Sequence, residues 1–366
     1  MDKVPSRAKR KVNINDIIIS TVRPNQEHYG IIKKEYDNFL VSTGFTTLTV
    51  DTSQAVPEFI YYYITQPYIT QSLQTIAEQS TTSHPSVKPS DIGNLIVELP
   101  SLDIQNKIAN ILTSIENKIN VNKEINKNLE NIANNIFKRY FLDYAPFQNL
   151  TFNESIIGDV PNEWNFIKIK DIVDVRDGTH DSPSAVEIGF PLITSKHLNK
   201  YDVNKKEANK ISFEDYTNIN KRSLVEPFDI LISMIGTVGN ICYIMYDEID
   251  FAIKNVGLFK TSKNPLLREY LLLYLKSNIV TQYIDSHLAG STQKYISLTE
   301  LRNIPIVIPP NEILTDFKDI INPIFNNIKT NNLEINTLIN LRDILLPKLM
   351  SGEIDVSKIK LNYNKD

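Results

Sequence analysis

The strongest constraint on this chain is a device it carries twice. Val97–Ile119 reads VELPSLDIQNKIANILTSIENKI, and Ile306–Lys329 reads IVIPPNEILTDFKDIINPIFNNIK. Each starts as a short apolar run, breaks at proline, and enters a long stretch with isoleucines at helical spacing. The likeness reaches upstream. SDIGNLIVELP (Ser90–Pro100) lies over TELRNIPIVIP (Thr299–Pro309) without a gap. EFIYYYITQPYITQSL (Glu58–Leu73) lies over EYLLLYLKSNIVTQYI (Glu269–Ile284), and DIIISTVRP (Asp16–Pro24) over DILISMIGT (Asp229–Thr237). One unit, a globular part followed by a long helix, is therefore present twice.

Within each unit the periodicities are readable. DIIIS and DILIS are short β-branched runs and predict buried strands. EFIYYYIT and EYLLLYLK predict a short packed helix whose tyrosines belong to the core and its rim. GNLIVELP and RNIPIVIP predict strands closed by proline, which cannot donate to a ladder.

From Ser101, a plausible N-cap, the pattern turns helical. A heptad frame places Ile108, Leu112, Ile115, Ile119, Asn122, Asn126, Leu129, Ala133, Ile136 and Tyr140 on one seam. The same frame in the second copy selects Phe317, Ile321, Ile324, Ile328, Asn331, Ile335, Leu338, Arg342, Leu345 and Leu349. Asn122 and Asn331 fall at equivalent seam positions, where asparagine lowers stability and fixes register. About 40 residues at 1.5 Å each give a rod of about 60 Å, and an apolar seam needs a partner. The two rods are expected to pack on each other, antiparallel, with Pro323 kinking the second or delaying its start. The architecture expected is α+β: two globular α/β domains joined by two long antiparallel coiled-coil helices, as a pseudo-two-fold internal repeat. The expected boundaries are 1–100, a first domain; 101–143, the first helix; 144–309, a second domain; 310–349, the second helix; and 350–366, a tail. Two mirrored heads on such a rod suit paired DNA half-sites, which protein dimers read about 34 Å apart.

Charge and composition agree with that reading without forcing it. The net charge is −4, but residues 1–34 hold eight basic residues against three acidic ones. An acidic chain can still present a basic face to phosphates. The single cysteine, Cys242, excludes an internal disulfide and fits a reducing cytoplasm. No apolar run approaches the ~18 residues of a membrane helix, and MDKVPSRAKRK is no secretory signal.

The chain resembles the specificity subunit of type I restriction–modification systems. The resemblance rests on LPSLDIQNKIANILTSIENKIN (Leu99–Asn120), IFKRYFLDYAPF (Ile136–Phe147), VPNEWNFIKIKDI (Val160–Ile172), RDGTHDSP (Arg176–Pro183), GSTQKYIS (Gly290–Ser297) and LLPKLMSGEIDV (Leu345–Val356). Each stretch alone is weak; their order and spacing are specific. The resemblance implies that each globular unit is a target recognition domain reading one half of a split, gapped DNA site. It implies that the helices set the gap and dock two modification (methyltransferase) subunits. Those subunits bind S-adenosylmethionine and methylate adenine, and separate restriction/translocase subunits use ATP and Mg. The specificity subunit itself does no chemistry and carries no cofactor. The sequence shows no NPPF or DPPY methyltransferase motif, no Walker A, no GxGxxG, and five scattered histidines that suggest no metal site.

One departure stands out. Trp164 precedes Asp229 by 65 residues, whereas the matching Asp16 has only 15 residues before it. The first recognition domain is expected to be N-terminally short by roughly 50 residues, including any counterpart of RDGTHDSP. Exposed core is expected at that edge.

Candidate DNA contacts follow from chemistry. In the turn-rich RDGTHDSP loop they are Arg176, Gly178, Thr179, His180 and Ser182, set against a structural turn in which Asp177 and Asp181 bond their own backbone. Gln293 suits an adenine edge and Lys294 a phosphate or guanine. Lys196 beside His197, and Lys221 beside Arg222, extend the set. In the first unit the candidates are Arg7, Lys9, Arg10, Arg23, His84 and Lys88. Two other readings compete: a non-catalytic coiled-coil scaffold binding protein partners, and a nuclease using Asp229 to hold Mg²⁺.

Overall fold

A computed structural model describes residues 8–34, 39–79, 85–155 and 157–359. The chain divides into two compact units: residues 1–122 with 334–366, and residues 123–333.

Unit 1 opens with strands β1 (Ala8–Lys11), β2 (Ile17–Ser20), β3 (Tyr29–Ile31), β4 (Leu40–Ser42) and β5 (Phe45–Leu48). Helices α1 (Pro57–Ile64), α2 (Pro67–Glu78) and α3 (Pro89–Gly93) follow, then the long α4 (Leu102–Phe141). β2 is the middle of a three-stranded antiparallel sheet, β3-β2-β5, and β1 pairs separately with β4. Alternate residues of β2, Ile17 and Ile19, are buried against Ile64, Ile69, Leu73 and Ala77 of α1 and α2. Proline opens α1, α2 and α3, where a missing N–H costs nothing.

Unit 2 is richer in strands. It holds β6 (Phe152–Ser155), β7 (Gly158–Pro161), β8 (Asn165–Lys168), β9 (Val175–Asp177), β10 (Phe190–Ile193) and β11 (Lys210–Ile211). Helix α5 (Phe213–Ser223) precedes β12 (Ile230–Ser233), β13 (Ile241–Tyr243), β14 (Ala252–Ile253) and β15 (Val256–Phe259). Then come α6 (Arg268–Leu275), α7 (Asn278–Ser286), α8 (Leu298–Asn303), β16 (Pro305–Ile308) and the long α9 (Asn311–Met350). The central sheet is β13-β12-β15-β9, all antiparallel. β12 and β15 are buried at every position, as a central strand covered on both faces must be. β16 pairs with β8, with Ile306 opposite Ile167.

The predicted strand GNLIVELP does not form. Residues 94–100 carry no strand assignment, and Gly93 ends α3. The same motif in unit 2 is a strand because β8 supplies its ladder, whereas no strand among the described residues pairs with 94–100. A strand without a partner leaves its N–H and C=O groups unpaired, so local sequence alone does not make one.

The unit boundary falls inside α4 and α9, which pair antiparallel within each unit. In unit 1, Glu116 meets Arg342 at 2.6 Å and Asn122 donates to Glu334 at 2.8 Å, so numbers rise on one helix as they fall on the other. In unit 2, Asn126 donates to Asn332 at 2.9 Å and accepts from Asn331 at 2.8 Å, while Phe137 packs on Phe317. The seam asparagines thus form polar rungs, Asn122 with Glu334 in unit 1 and Asn126 with Asn331 and Asn332 in unit 2. Beyond Ala133 the buried positions become Phe137 and Phe141 in place of Ile136 and Tyr140, which are half-buried. A straight helix drifts about 20° per heptad against a strict seven-residue repeat, which moves the buried face round by that end. α9 begins at Asn311 and runs through Pro323. A proline inside a helix costs about 3 kcal/mol. Burial of Phe317, Ile321, Phe325 and Ile328 around it, at roughly 1.5–3 kcal/mol each, outweighs that cost.

Candidate nucleic-acid interface

Several loops of unit 2 leave its central sheet at one end. Ser233, the last residue of β12, lies opposite Val256, the first of β15. The carbonyl of Val256 accepts from the Gly178 N–H at 2.9 Å, so the loop after β9 starts beside it. The loop after β12 is tied to the loop after α7: Ile235 bridges Tyr295, and the Gly236 N–H donates to the Lys294 carbonyl at 3.1 Å. Residues 178–183, 234–240, 254–255 and 289–295 therefore share one end of the fold. The turn at Ser195–His197 joins them, with the Ser195 hydroxyl donating to the Asn255 carbonyl at 3.4 Å.

The loop at 176–183 is organised by one buried carboxylate. Asp177 places one oxygen 3.1 Å from the Arg222 guanidinium and the other 2.9 Å from His180 Nε2. The other ring nitrogen of His180 sits 2.8 Å from the Asn255 side-chain oxygen. Arg222 also donates to the Gly178 carbonyl at 2.7 Å, and Arg176 donates to the Arg222 carbonyl at 2.9 Å and to Asp174 at 2.7 Å. These two arginines hold the loop onto α5, and an open cleft of about 500 Å³ lies between His180, Asp181, Asn218 and Arg222. Gly178 has a packing role: a Cβ there would lie 2.3 Å from the Ile253 carbonyl oxygen. Thr179 accepts from the Asp181 N–H at 3.1 Å, and Ser182 accepts from Lys254.

Of the candidate side chains, His180, Ser182, Lys196, Lys221, Arg222, Gln293 and Lys294 are exposed. Lys221 donates to Asn218 at 2.9 Å. His197 is buried and its Nδ1 accepts from the Thr194 N–H at 3.0 Å. Burial, with Lys196 beside it, pushes its pKa down, and the buried ring belongs to the scaffold. Sequence reasoning missed Asn255 and Lys254 and gave Asp177 only a turn role. The available signal was KN between two apolar runs; Asn255 adopts φ 52°, a left-handed conformation that asparagine tolerates better than most residues.

Unit 1 repeats the loop architecture. Val22 bridges Ser86, the Arg23 N–H donates to the Pro85 carbonyl at 2.9 Å, and the Val87 N–H donates to the Thr21 carbonyl at 2.9 Å. These match Ile235 with Tyr295, Gly236 with Lys294, and Ile296 with Met234. The match extends to backbone sign: Arg23 has φ 51° and Gly236 φ 80°. The exposed Arg23 side chain therefore projects from the position that glycine takes in unit 2. Lys9 and Lys88 are exposed, whereas Arg10 donates to the Phe45 carbonyl. Arg7 and His84 lie outside the described residues.

Asp229 is fully buried against Lys260, accepts from the Glu226 N–H at 2.8 Å, and holds a turn as Asp16 does with the Asn13 N–H at 2.7 Å. No group of three or more potential metal ligands exists among the described residues, and no helix among them is long and apolar enough to cross a membrane.

Comparison with known proteins agrees with this geometry. The family profile "Type I restriction modification DNA specificity domain" matches residues 3–131 and 161–341, one match for each copy of the repeat. The chain belongs to this family, as a DNA-specificity subunit that is not itself the catalyst. It is 27% identical over 312 residues to the type I restriction enzyme MjaIX specificity subunit of Methanocaldococcus jannaschii, covering 83% of this chain and 70% of that protein. It is 23% identical over 412 aligned positions to the HindI specificity subunit of Haemophilus influenzae, covering 96% and 89%. Its fold resembles the crystal structure of a type I restriction–modification S subunit from M. genitalium, with a TM-score of 0.52, 16% identity, and 93% and 84% of the two chains covered.

Proposed function

We propose that each unit reads one half of a bipartite, gapped DNA site through the loops at the end of its sheet. The observation that carries this is the repeated tie between two loops, Gly236 to Lys294 in unit 2 and Arg23 to Pro85 in unit 1, in a chain of a DNA-specificity family. In unit 2, Lys196, Lys221 and Lys294 supply phosphate contacts and Gln293 a base contact. Arg176, Gly178, Thr179, His180, Ser182 and Arg222 shape the loop and offer its remaining donors. In unit 1, Arg7, Lys9, Arg23, His84 and Lys88 play the corresponding part, with Arg10 tied to the scaffold.

The paired helices set the gap and dock two modification subunits in the cytoplasm. S-adenosylmethionine, ATP and Mg²⁺ are bound by those and the restriction subunits, outside this chain. The test is gel-shift titration over a library of DNA sites. Lys294→Ala is expected to weaken binding to all sequences and lower the salt dependence by about one phosphate contact. Gln293→Ala is expected to relax choice at one base pair, by about 1–3 kcal/mol. A library profile unchanged by Gln293→Ala removes that residue from base reading.

A further inference from the structure

Six described residues other than glycine have a positive φ: Asn15, Arg23, Glu27, Tyr144, Phe228 and Asn255. Arg23 alone among them precedes a proline. Its φ of 51° and ψ of 69° lie in the left-handed region, which a Cβ disfavours, and the Pro24 ring presses the residue before it towards extended backbone. The equivalent residue of unit 2, Gly236, reaches φ 80° without that cost. An arginine thus stands where glycine would be easier.

The loop holds Arg23 in this conformation from every side. Before it, Val22 bridges Ser86, and the Val87 N–H donates to the Thr21 carbonyl at 2.9 Å. At Arg23 itself the N–H donates to the Pro85 carbonyl and the carbonyl accepts from the Gln26 N–H, both at 2.9 Å. After it, Pro24 is buried and the Asn25 N–H donates to the buried Gln74 side chain at 3.2 Å. Backbone held so firmly in a sparsely populated conformation is characteristic of functional sites. None of these ties uses the side chain. Arg23 is exposed, and its guanidinium has no hydrogen-bond or ion-pair partner among the described residues. Strain that secures no side-chain contact within the protein points to a contact outside it.

Unit 2 shows what stands at the same place. A Cβ at Gly236 would lie 4.0 Å from Gln293 Nε2. Both units therefore bring a polar side chain to the same point of their tied loops, Gln293 from the second loop in unit 2 and Arg23 from the first loop in unit 1. A glutamine amide matches N6 and N7 of adenine, and the planar fork of a guanidinium matches O6 and N7 of guanine. A phosphate is reached by a long cationic side chain from many unstrained positions, whereas a base edge demands a fixed origin. We infer that, given loop ends that face DNA as proposed above, Arg23 is the base-reading residue of unit 1 and its base is guanine.

The test is gel-shift titration of the full 366-residue chain over a library of split DNA sites, beside Arg23→Gly, Arg23→Lys and Gln293→Ala. Arg23→Gly is expected to lower the preference for guanine at one position by about 5- to 150-fold. That position is expected in the half-site whose profile Gln293→Ala leaves intact. Arg23→Lys, which keeps the charge and loses the fork, is expected to lose the same preference. Arg23→Gly is also expected to melt no lower than the unsubstituted chain, since glycine takes this conformation freely. Equal weakening across the whole library would make Arg23 a phosphate contact and overturn the inference, as would full guanine preference in Arg23→Lys. A lower melting temperature in Arg23→Gly with guanine preference unchanged would make the side chain part of the scaffold. An unsubstituted chain with no preference in the half-site that Gln293→Ala spares would remove the reading by unit 1 altogether. A clear preference there, untouched by Arg23→Gly, would remove Arg23 alone.

Discussion

Residues 304–308 and residues 95–99 occupy the same place in two copies of one unit, and only the first is a strand. Ile306 is fully buried and opposite Ile167, whereas Val97, its counterpart, is half-buried and pairs with no strand among the described residues. The tyrosine that moors each segment is the same; what residues 304–308 have besides it is the ladder with β8. Among the described residues the central sheets differ in the same way, four strands against three: β9 pairs with β15, and β5 has no such neighbour. In a β structure the partner strand, more than propensity, decides whether a β-prone run becomes a strand.

The two units also differ in how they hold the strand that leads into the loops. Asp229 is 0% exposed and ion-paired with Lys260, itself nearly fully buried; Asp16 has the Thr49 hydroxyl at 2.7 Å in place of an ammonium. The largest effect is therefore expected from Lys260→Ala. It leaves a buried carboxylate uncompensated and costs about 3–5 kcal/mol. Hydrogen exchange should report the loss at β12 and leave β2 unchanged. An equal loss at β2 would mean the units do not unfold separately. Next comes Ile306→Ala, which opens a cavity under the β8–β16 ladder and costs about 2–5 kcal/mol in the same measurement. The smallest effect is expected from Ile96→Ala, within about 0.5 kcal/mol, because that side chain is already in water. A large loss there would show that residues 94–100 are covered.

Much of this fold was readable before any coordinates. The repeat, the strands at DIIIS and DILIS, the short helices carrying buried Tyr62, Tyr270 and Tyr274, and the antiparallel helix pair all follow from period and order. The features that escaped depend on distant partners. Nothing in GNLIVELP says whether another strand pairs with it, and nothing local to Pro323 says that four buried side chains hold the helix through it. At the interface the loops were legible as polar turns, but the organising role of Asp177 was not. Its partners are Arg222, 45 residues on, and His180, whose ring is held in turn by Asn255. Gly178 was readable as a turn glycine and is instead a point of close backbone approach to Ile253.

The most direct measurement is a map of adenine methylation in DNA from cells expressing this chain with the methyltransferase subunit proposed to dock on it, beside the same cells carrying the double substitution Gln293→Ala, Lys294→Ala. A split motif is expected, with the substitutions relaxing or erasing one half and leaving the other half intact. An unsplit motif, or a split one in which both halves survive the loop substitutions unchanged, would contradict two separate reading units with their loops at the sheet ends.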